Sequence, residues 1–164
     1  MTDESLADPA ADTASVHVAA PPQAVWEVVS HPERLPEWSP ECTGIRWYGA
    51  RKGAEVGAKF LGFNRKGRLR WLTRNRVEVV EPGKAFGWLT IDNRTRWTYR
   101  IDPAGDGDDA GSTVTLSREL PEQRPALAKF LVQRFMGGVD AHDAHMRQNI
   151  RQSLERLKTV IERD

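Results

Sequence analysis

The spacing of hydrophobic residues changes along the chain, from every second position in its middle to every third or fourth at its C-terminal end. The most regular run is Asp140–Ile161, where this spacing places apolar side chains on one side of an α-helix and charged ones opposite. Gly137 and Gly138 precede the run, and Asp140 is a residue type that caps helix starts. The pattern predicts a long amphipathic helix whose stripe a broad apolar surface must cover. The stripe consists of Met146, Ile150, Leu154, Leu157 and Ile161.

A period of two in the middle of the chain predicts β-strands that bury one face. In Arg68–Val80 the odd positions, through Val79, are apolar or neutral, and the even positions are nearly all charged. In Arg94–Ile101 the inward positions are Trp97, Tyr99 and Ile101, and arginines alternate with them. The polar run 64–67 predicts a loop between the third and fourth strands. The other predicted strands are 13–19, 43–48, one that contains Phe60 and Leu61, 85–91 and 113–120.

Three other helices are predicted, all of them short. Pro21 and Pro22 open a short helix over residues 23–29, because proline fits the first helical turn. A second short helix follows Pro32 and ends by Trp38, because Pro40 comes next. Before the two glycines, a further short helix is predicted from the spacing of Leu127, Phe130, Leu131 and Phe135.

Length and composition indicate a single folded domain. The chain has 164 residues, a formal net charge of +1 and one cysteine, Cys42. A lone cysteine excludes an internal disulfide and fits a reducing compartment, and we expect it to be a small buried or half-buried side chain. Residues 1–12 are acidic and poor in apolar side chains, which predicts a disordered tail and leaves 13–164 as the domain.

The same composition bears on location and partners. No apolar run approaches the ~18 residues of a membrane span, and the acidic N-terminus lacks the layout of a signal peptide. We therefore expect a cytoplasmic protein without a transmembrane segment. The near-neutral charge balance gives no reason to expect a nucleic-acid partner.

Six short motifs follow one another in the order of these predicted elements. They are Pro22–Trp26, Leu35–Trp38, Gly57–Phe60, Trp97–Tyr99, Gly111–Thr115 and Leu154–Lys158. Together they make the chain resemble the SRPBCC superfamily, the START-related group with the helix-grip fold, and within it the polyketide cyclase/dehydratase-like branch. The resemblance implies an α+β fold in which a curled antiparallel sheet of about seven strands surrounds the long C-terminal helix, with two short helices after the first strand. It also implies a cavity for a small apolar molecule.

Aromatic and polar residues share the inward face of the predicted sheet. A few polar groups among aromatic side chains are typical of a ligand pocket, whereas a packed core with a paired Asn75 and Tyr99 is the alternative. An unpaired buried Asn75 would cost about 1–3 kcal/mol, so an acceptor, a water or a ligand should lie near it. With the family fold as context, the predicted ligand-binding residues are Trp71, Thr73, Asn75, Trp88, Trp97, Tyr99, Met146 and Ile150. Core or pocket-rim packing is expected for the remaining tryptophans, Trp26, Trp38 and Trp47, and also for Trp88.

The start of the long helix carries Asp140, His142, Asp143 and His145. Two histidines three residues apart can face one ion or one substrate, but two ligands without a third make a poor metal site. His142 lies four residues before Met146 on the inward stripe, which makes it the better candidate for a general acid or base. Solvated or capping polar residues are the alternative interpretation, and no metal site is predicted.

Arginines concentrate on the outward positions of two strands. They are Arg68, Arg70, Arg74, Arg76, Arg94, Arg96 and Arg100. Such a face can bind an anionic partner. A solvated outer face, neutralised by Glu78, Glu81, Asp92 and the acidic tail, explains the pattern equally well and is favoured.

The sequence is therefore compatible with three functions. The first is binding or transport of a small hydrophobic or aromatic molecule, of lipid or polyketide type. The second is a polyketide cyclase or dehydratase, in which His142 or Tyr99 moves a proton and no cofactor is needed. The third is an interaction protein that uses the outer arginines. The sequence leaves the oligomeric state open, a homodimer included.

Overall fold

The computed structural model of the protein describes residues 11–107, 110–121, 126–135 and 137–164. It confirms the predicted α+β helix-grip fold, with one seven-stranded sheet, two short helical segments after the first strand and a long C-terminal helix. In chain order the elements are β1 (Ala11–Val18), α1 (Pro22–Val29), a 3₁₀ helix (Pro32–Glu37), β2 (Cys42–Tyr48), β3 (Lys59–Lys66), β4 (Leu69–Glu81), β5 (Ala85–Thr90), β6 (Thr95–Pro103), β7 (Ser112–Glu119), α2 (Ala126–Phe135) and α3 (Val139–Arg163).

Every strand pairs with its neighbours in antiparallel fashion, in the order β1-β7-β6-β5-β4-β3-β2. The first and second strands are thus at opposite edges of the sheet, and the chain crosses from one edge to the other through α1 and the 3₁₀ helix. The curled sheet has one concave face, and α3 lies against β1 and β7 at one side of it. This arrangement leaves the inner face of β3 to β6 opposite α3 without a second layer of helices.

The predicted stripe of α3 is buried along its whole length. Met146, Ile150, Leu154, Leu157 and Ile161 all belong to the apolar interior. Burying an aliphatic side chain of this size contributes about 1.5–3 kcal/mol. The stripe therefore fixes the long helix to the sheet.

The hairpin of β3 and β4 corrects one prediction. The polar run 64–67 is not a loop, because Asn64, Arg65 and Lys66 continue the ladder opposite Trp71, Arg70 and Leu69. A polar strand is stable here since one face of the hairpin is wet, and Gly67 with φ of 60° allows a tight two-residue turn.

A bulge in β4 corrects another prediction, which concerns the inward-facing residues at the end of this strand. Val77 pairs with Trp88 and Val79 pairs with Gly87, so Glu78 is an extra residue in the ladder. An inserted residue reverses the faces that follow it. Val80 therefore packs against the apolar interior, where the uninterrupted alternation predicted Val79.

Other element ends differ from the predictions by one or two residues. The first strand begins at Ala11 instead of residue 13, and residues 1–10 of the predicted tail lie outside the described residues. The long helix begins at Val139, preceded by Gly138, and the predicted cap by the Asp140 side chain also lies outside what the structure describes. Across the described ranges, no helix is long and apolar enough to cross a membrane.

Candidate functional site

A cavity of about 800 Å³ lies between the inner face of the sheet and α3. Pockets that hold small molecules have volumes of about 300–1,000 Å³. The interior is therefore not filled by side chains. A filled interior would have ruled out both the carrier and the cyclase hypotheses. All eight residues predicted to bind a ligand line this cavity; they are Trp71, Thr73, Asn75, Trp88, Trp97, Tyr99, Met146 and Ile150.

One wall of the cavity is aromatic. Its members come from neighbouring strands, and Trp88 and Trp97 are directly opposite each other in the ladder of β5 and β6. The ring centroid of Trp88 lies 6.1 Å from that of Tyr99 and 5.8 Å from that of Phe60. These spacings are typical of tilted and edge-to-face aromatic pairs, which hold one another in fixed orientations.

Asn75 is buried in the floor of the cavity, and its amide is bonded within the sheet. Its Nδ2 donates to Oγ1 of Thr73 at 3.1 Å, and its Oδ1 accepts from Oγ1 of Thr90 at 2.8 Å. The acceptor expected near this amide is thus Thr73. Because buried polar networks of this kind restrict rotamers, the network gives the floor a fixed shape.

Tyr99 reaches the cavity from β6 and is 3% exposed. Its hydroxyl oxygen accepts a hydrogen bond from Nε1 of Trp38 at 3.1 Å. Burial raises the pKa of Tyr99 to about 12, although the Trp38 bond acts in the opposite direction. The phenol is therefore neutral at physiological pH, so it can donate a hydrogen bond to a ligand but cannot serve as a base.

The two histidines of α3 do not converge on one site. His142 is half-buried and lines the cavity. His145 instead places Nε2 at 2.8 Å from Oε1 of Glu41, and Asp143 pairs with Arg118 at 3.2 Å. In the described part of the chain, no group of three metal-ligating side chains is assembled.

Sequence reasoning missed several polar residues of the cavity wall, namely Glu41, Asn64, Asn149 and Ser153. Asn149 and Ser153 did carry a signal, because each directly neighbours the inward stripe of the long helix, at Ile150 and Leu154. Glu41 carried none, since it lies in the irregular segment between the 3₁₀ helix and β2. Its position depends on Ser39, whose hydroxyl accepts from the Cys42 amide at 3.0 Å, and on the backbone bond from Arg65 to the Glu41 carbonyl at 2.9 Å.

Arg118 was also missed. It continues the inward alternation of Val114 and Leu116 in β7, and its side chain is 4% exposed. The guanidinium donates to Asp12 at 2.8 Å and to Asp143 at 3.2 Å. A buried cation needs such partners, because without them its charge would be uncompensated in the protein interior. The network links β1, β7 and the beginning of α3.

The outer arginines form ion pairs in part. Arg74 lies 2.7 Å from Asp92, and Arg76 and Arg96 both contact Glu78, at 3.0 and 3.1 Å. Burial alone would raise the pKa of Glu78, but the hydrogen bonds from Arg76 and Arg96 lower it. Arg68, Arg70, Arg94 and Arg100 are exposed, and no described carboxylate pairs with them. These ion pairs and exposed side chains agree with a solvated face, but Arg70, Arg74 and Arg94 also line the cavity, so the arginines do not all lie away from it as predicted.

One side of the cavity is open. Leu127, Leu131 and Phe135 of α2 line it there, together with Leu72 of β4 and Arg94 of the turn between β5 and β6. All five side chains are exposed. We call this ring of residues the mouth, since it joins the cavity to the surface.

Comparison with known proteins agrees with this architecture. The family described as "Polyketide cyclase / dehydrase and lipid transport" matches residues 11–162. No curated protein sequence matches the chain significantly.

Solved structures share the fold over nearly the whole chain. The polyketide cyclase-like protein Cgl2372 from Corynebacterium glutamicum is 28% identical with a TM-score of 0.60, and the alignment covers 96% of this chain and 94% of that one. The Zhui aromatase/cyclase from Streptomyces sp. R1128 is 13% identical with a TM-score of 0.73, covering 93% of both chains. The di-domain aromatase/cyclase StfQ from the steffimycin biosynthetic pathway is 12% identical with a TM-score of 0.68, covering 94% of this chain and 51% of that one.

Below 25% identity such likenesses establish the fold alone. The match of the family over residues 11–162 goes further, because it includes every described strand and nearly all of α3. The chain belongs to the polyketide cyclase/dehydrase and lipid transport family, in the polyketide cyclase-like branch of the SRPBCC superfamily.

Proposed function

We propose that the protein binds a small hydrophobic or aromatic molecule, of lipid or polyketide type, in the cavity between the sheet and α3, and acts as its carrier. The observation that supports this most is the cavity itself, about 800 Å³ in volume and lined by Trp71, Trp88 and Trp97. An unoccupied apolar space of this size costs stability, because the surrounding atoms lose packing contacts. A bound apolar molecule restores those contacts, and its own apolar surface is removed from water on binding.

The residues of the cavity wall make different kinds of contact with the proposed ligand. The tryptophans offer flat apolar area, and Met146 and Ile150 of α3 close the opposite side. The hydroxyl hydrogen of Tyr99 is the polar group best placed to orient a carbonyl or hydroxyl of the ligand, because its oxygen is already held by Trp38. Burying apolar ligand surface contributes about 25 cal/mol per Å², from which the loss of translational and rotational freedom is subtracted.

A cyclase or dehydratase activity is the second candidate, and His142 in the cavity wall is the observation that favours it. In such a reaction the imidazole of His142 takes a proton from the carbon next to a ligand carbonyl, and the Tyr99 hydroxyl donates a hydrogen bond to the enolate oxygen that forms. Each group then has one role, since the neutral phenol cannot be the base. Replacing His142 with Gln should abolish turnover of a poly-β-ketone probe while leaving binding in place; unchanged turnover would remove this candidate.

The carrier proposal is tested by filling the cavity from one position. Ser153 lines the cavity and is buried, whereas its neighbour Gln152 is exposed on the other side of α3. Ser153→Phe should weaken binding of the apolar fluorophore 1-anilinonaphthalene-8-sulfonate by at least about ten-fold, a loss of about 1.4 kcal/mol. The matched control Gln152→Phe should leave it unchanged.

Native mass spectrometry of the purified protein supplies an independent readout. The wild type should carry a small apolar molecule, and Ser153→Phe should carry less of it than Gln152→Phe. Equal binding and equal occupancy in the two variants would contradict the proposal, because a ligand elsewhere would not distinguish positions 152 and 153.

A further inference from the structure

A group of polar side chains lies on the cavity wall opposite the tryptophans and has no part in the binding mode described above. It consists of Glu41 from the segment before β2 and of His145 and Asn149 from α3. Glu41 and Asn149 both line the cavity. The group joins the edge of the sheet to the long helix.

We propose that this group is a hydrogen-bond-accepting subsite, with Glu41 as its centre, for a ligand that carries a hydroxyl or amine group on an otherwise apolar body. This inference rests on the proposed function, because it assigns the chemistry of one end of the same ligand.

Glu41 is held by hydrogen bonds to both its backbone and its side chain. Oε1 of Glu41 lies 2.8 Å from Nε2 of His145. A carboxylate has no hydrogen to donate, so the imidazole N–H is the donor. With its backbone fixed by Ser39 and Arg65 and its side chain fixed by His145, Glu41 is a preorganised group.

The carboxylate of Glu41 still has acceptor positions that His145 does not use. A carboxylate has about four acceptor positions, and the bond from His145 uses one of them. No described residue donates to Oε2 of Glu41, and this atom is not among the buried unpaired ones. Oε2 is therefore accessible, and because Glu41 lines the cavity, it can offer a ligand there the stronger, charge-assisted type of hydrogen bond.

Two polar residues of α3, Asn149 and Ser153, line the cavity together with Glu41. Asn149 places Nδ2 at 3.3 Å from the same ring nitrogen of His145. Because that nitrogen donates its single hydrogen to Glu41, it cannot also accept from the Asn149 amide, which lines the cavity together with Glu41. Ser153 lies one turn further along α3 and also lines the cavity. The polar atoms thus follow one line along the helix.

The opposite wall decides the shape of the ligand. Trp71, Trp88 and Trp97 face this polar line across the cavity. A flat apolar molecule with a hydrogen-bond donor on one edge satisfies both walls at once. A wholly apolar molecule would take water away from Oε2 of Glu41 without offering it a hydrogen-bond donor.

Two probes of matched size, 2-naphthol and 2-methylnaphthalene, separate donor recognition from apolar binding. Their dissociation constants are measured by calorimetry for the wild type, for Glu41→Gln and for the control Glu55→Gln. Glu55 is exposed and forms an ion pair with Arg51. Glutamine keeps an acceptor for His145 but turns an N–H₂ toward the cavity. The preference for 2-naphthol should fall about ten-fold in Glu41→Gln and stay unchanged in Glu55→Gln.

Glu41→Met is the second variant, because it removes the acceptor without introducing a donor. It should lose the preference for 2-naphthol while still binding 2-methylnaphthalene. If 2-methylnaphthalene binds the wild type and the preference is the same in all variants, the subsite is wrong and the carrier proposal stands. If neither probe nor the anilinonaphthalene fluorophore binds the wild type, the carrier proposal fails and the subsite fails with it.

Discussion

The two helices at the C-terminal end, α2 and α3, have apolar residues at the same helical spacing but opposite surroundings. The stripe of α3 is buried throughout. On α2 the exposed fractions are 68% for Leu127, 61% for Phe130, 45% for Leu131 and 58% for Phe135. The difference is the receiving surface, since α3 lies against β1 and β7 whereas α2 packs mainly against α3.

This contrast shows what hydrophobic periodicity does and does not determine. The period predicts that a segment is helical, but burial requires a second element in the right place. Three of the exposed residues of α2, namely Leu127, Leu131 and Phe135, border the mouth. The apolar face of α2 is thus beside the space that the proposed ligand occupies.

The largest expected effect comes from the same substitution in each helix. Leu157→Ala removes a fully buried side chain of α3 and should lower the free energy of unfolding by about 2–5 kcal/mol. Leu127→Ala in α2 should change it by less than about 0.5 kcal/mol, as expected for an exposed site. Urea denaturation of both variants measures the difference, and similar losses in the two helices would contradict the contrast.

An intermediate effect on stability is expected for Tyr99, whose polar side chain is buried. Its pKa of about 12 lies above the ordinary value of 10.0, so the fold favours the neutral phenol. The stabilisation from keeping this phenol neutral is complete below about pH 10 and is lost as the pH rises toward 12. A shift of two pH units corresponds to about 2.7 kcal/mol of unfolding free energy. Tyr99→Phe should remove this part of the alkaline loss of stability, measured as unfolding free energy against pH.

At neutral pH the same variant leaves Nε1 of Trp38 without its acceptor, at a cost of about 1–3 kcal/mol. Because the chain has two tyrosines, the difference in tyrosinate absorbance between wild type and variant isolates the ionisation of Tyr99. An ionisation near pH 10 in the folded protein would show that the phenol is not desolvated.

The smallest effect is expected at the exposed face of α2. Phe130→Ser should change the free energy of unfolding by less than about 0.5 kcal/mol, and it should leave ligand binding unchanged because Phe130 does not line the cavity. Phe135→Ser should be equally mild for stability but should weaken binding of 2-methylnaphthalene, since Phe135 borders the mouth. Equal binding by the two variants would mean that α2 plays no part in the mouth.

Much of the fold follows from local patterns in the sequence. Alternation in β4 and β6 places Trp71, Trp97 and Tyr99 on the concave face, and the step of three and four places Met146 and Ile150 opposite them. The curl of the sheet is predicted by the order of the elements together with the resemblance to the family. The eight predicted residues therefore come together at one cavity, although their roles in binding remain predictions.

The errors arise where local pattern and long-range structure diverge. The bulge at Glu78 reverses Val79 and Val80, and no periodicity signals an inserted residue. The polar residues 64–66 form a strand because their partners in β4 hold them there. Glu41 meets His145 across 104 positions of sequence, a contact that only the closed fold creates.

The central claim is that a small apolar molecule enters the space between the sheet and α3, and indole signals in ¹H–¹⁵N NMR test it most directly. The chain has six tryptophans, which give separate indole N–H signals. Trp71, Trp88 and Trp97 line the cavity, whereas Trp26 and Trp47 do not. Titration with 2-methylnaphthalene should shift the signals of the first three and leave the other two in place. Shifts confined to Trp26 and Trp47, or no shifts at saturating probe, would contradict the account.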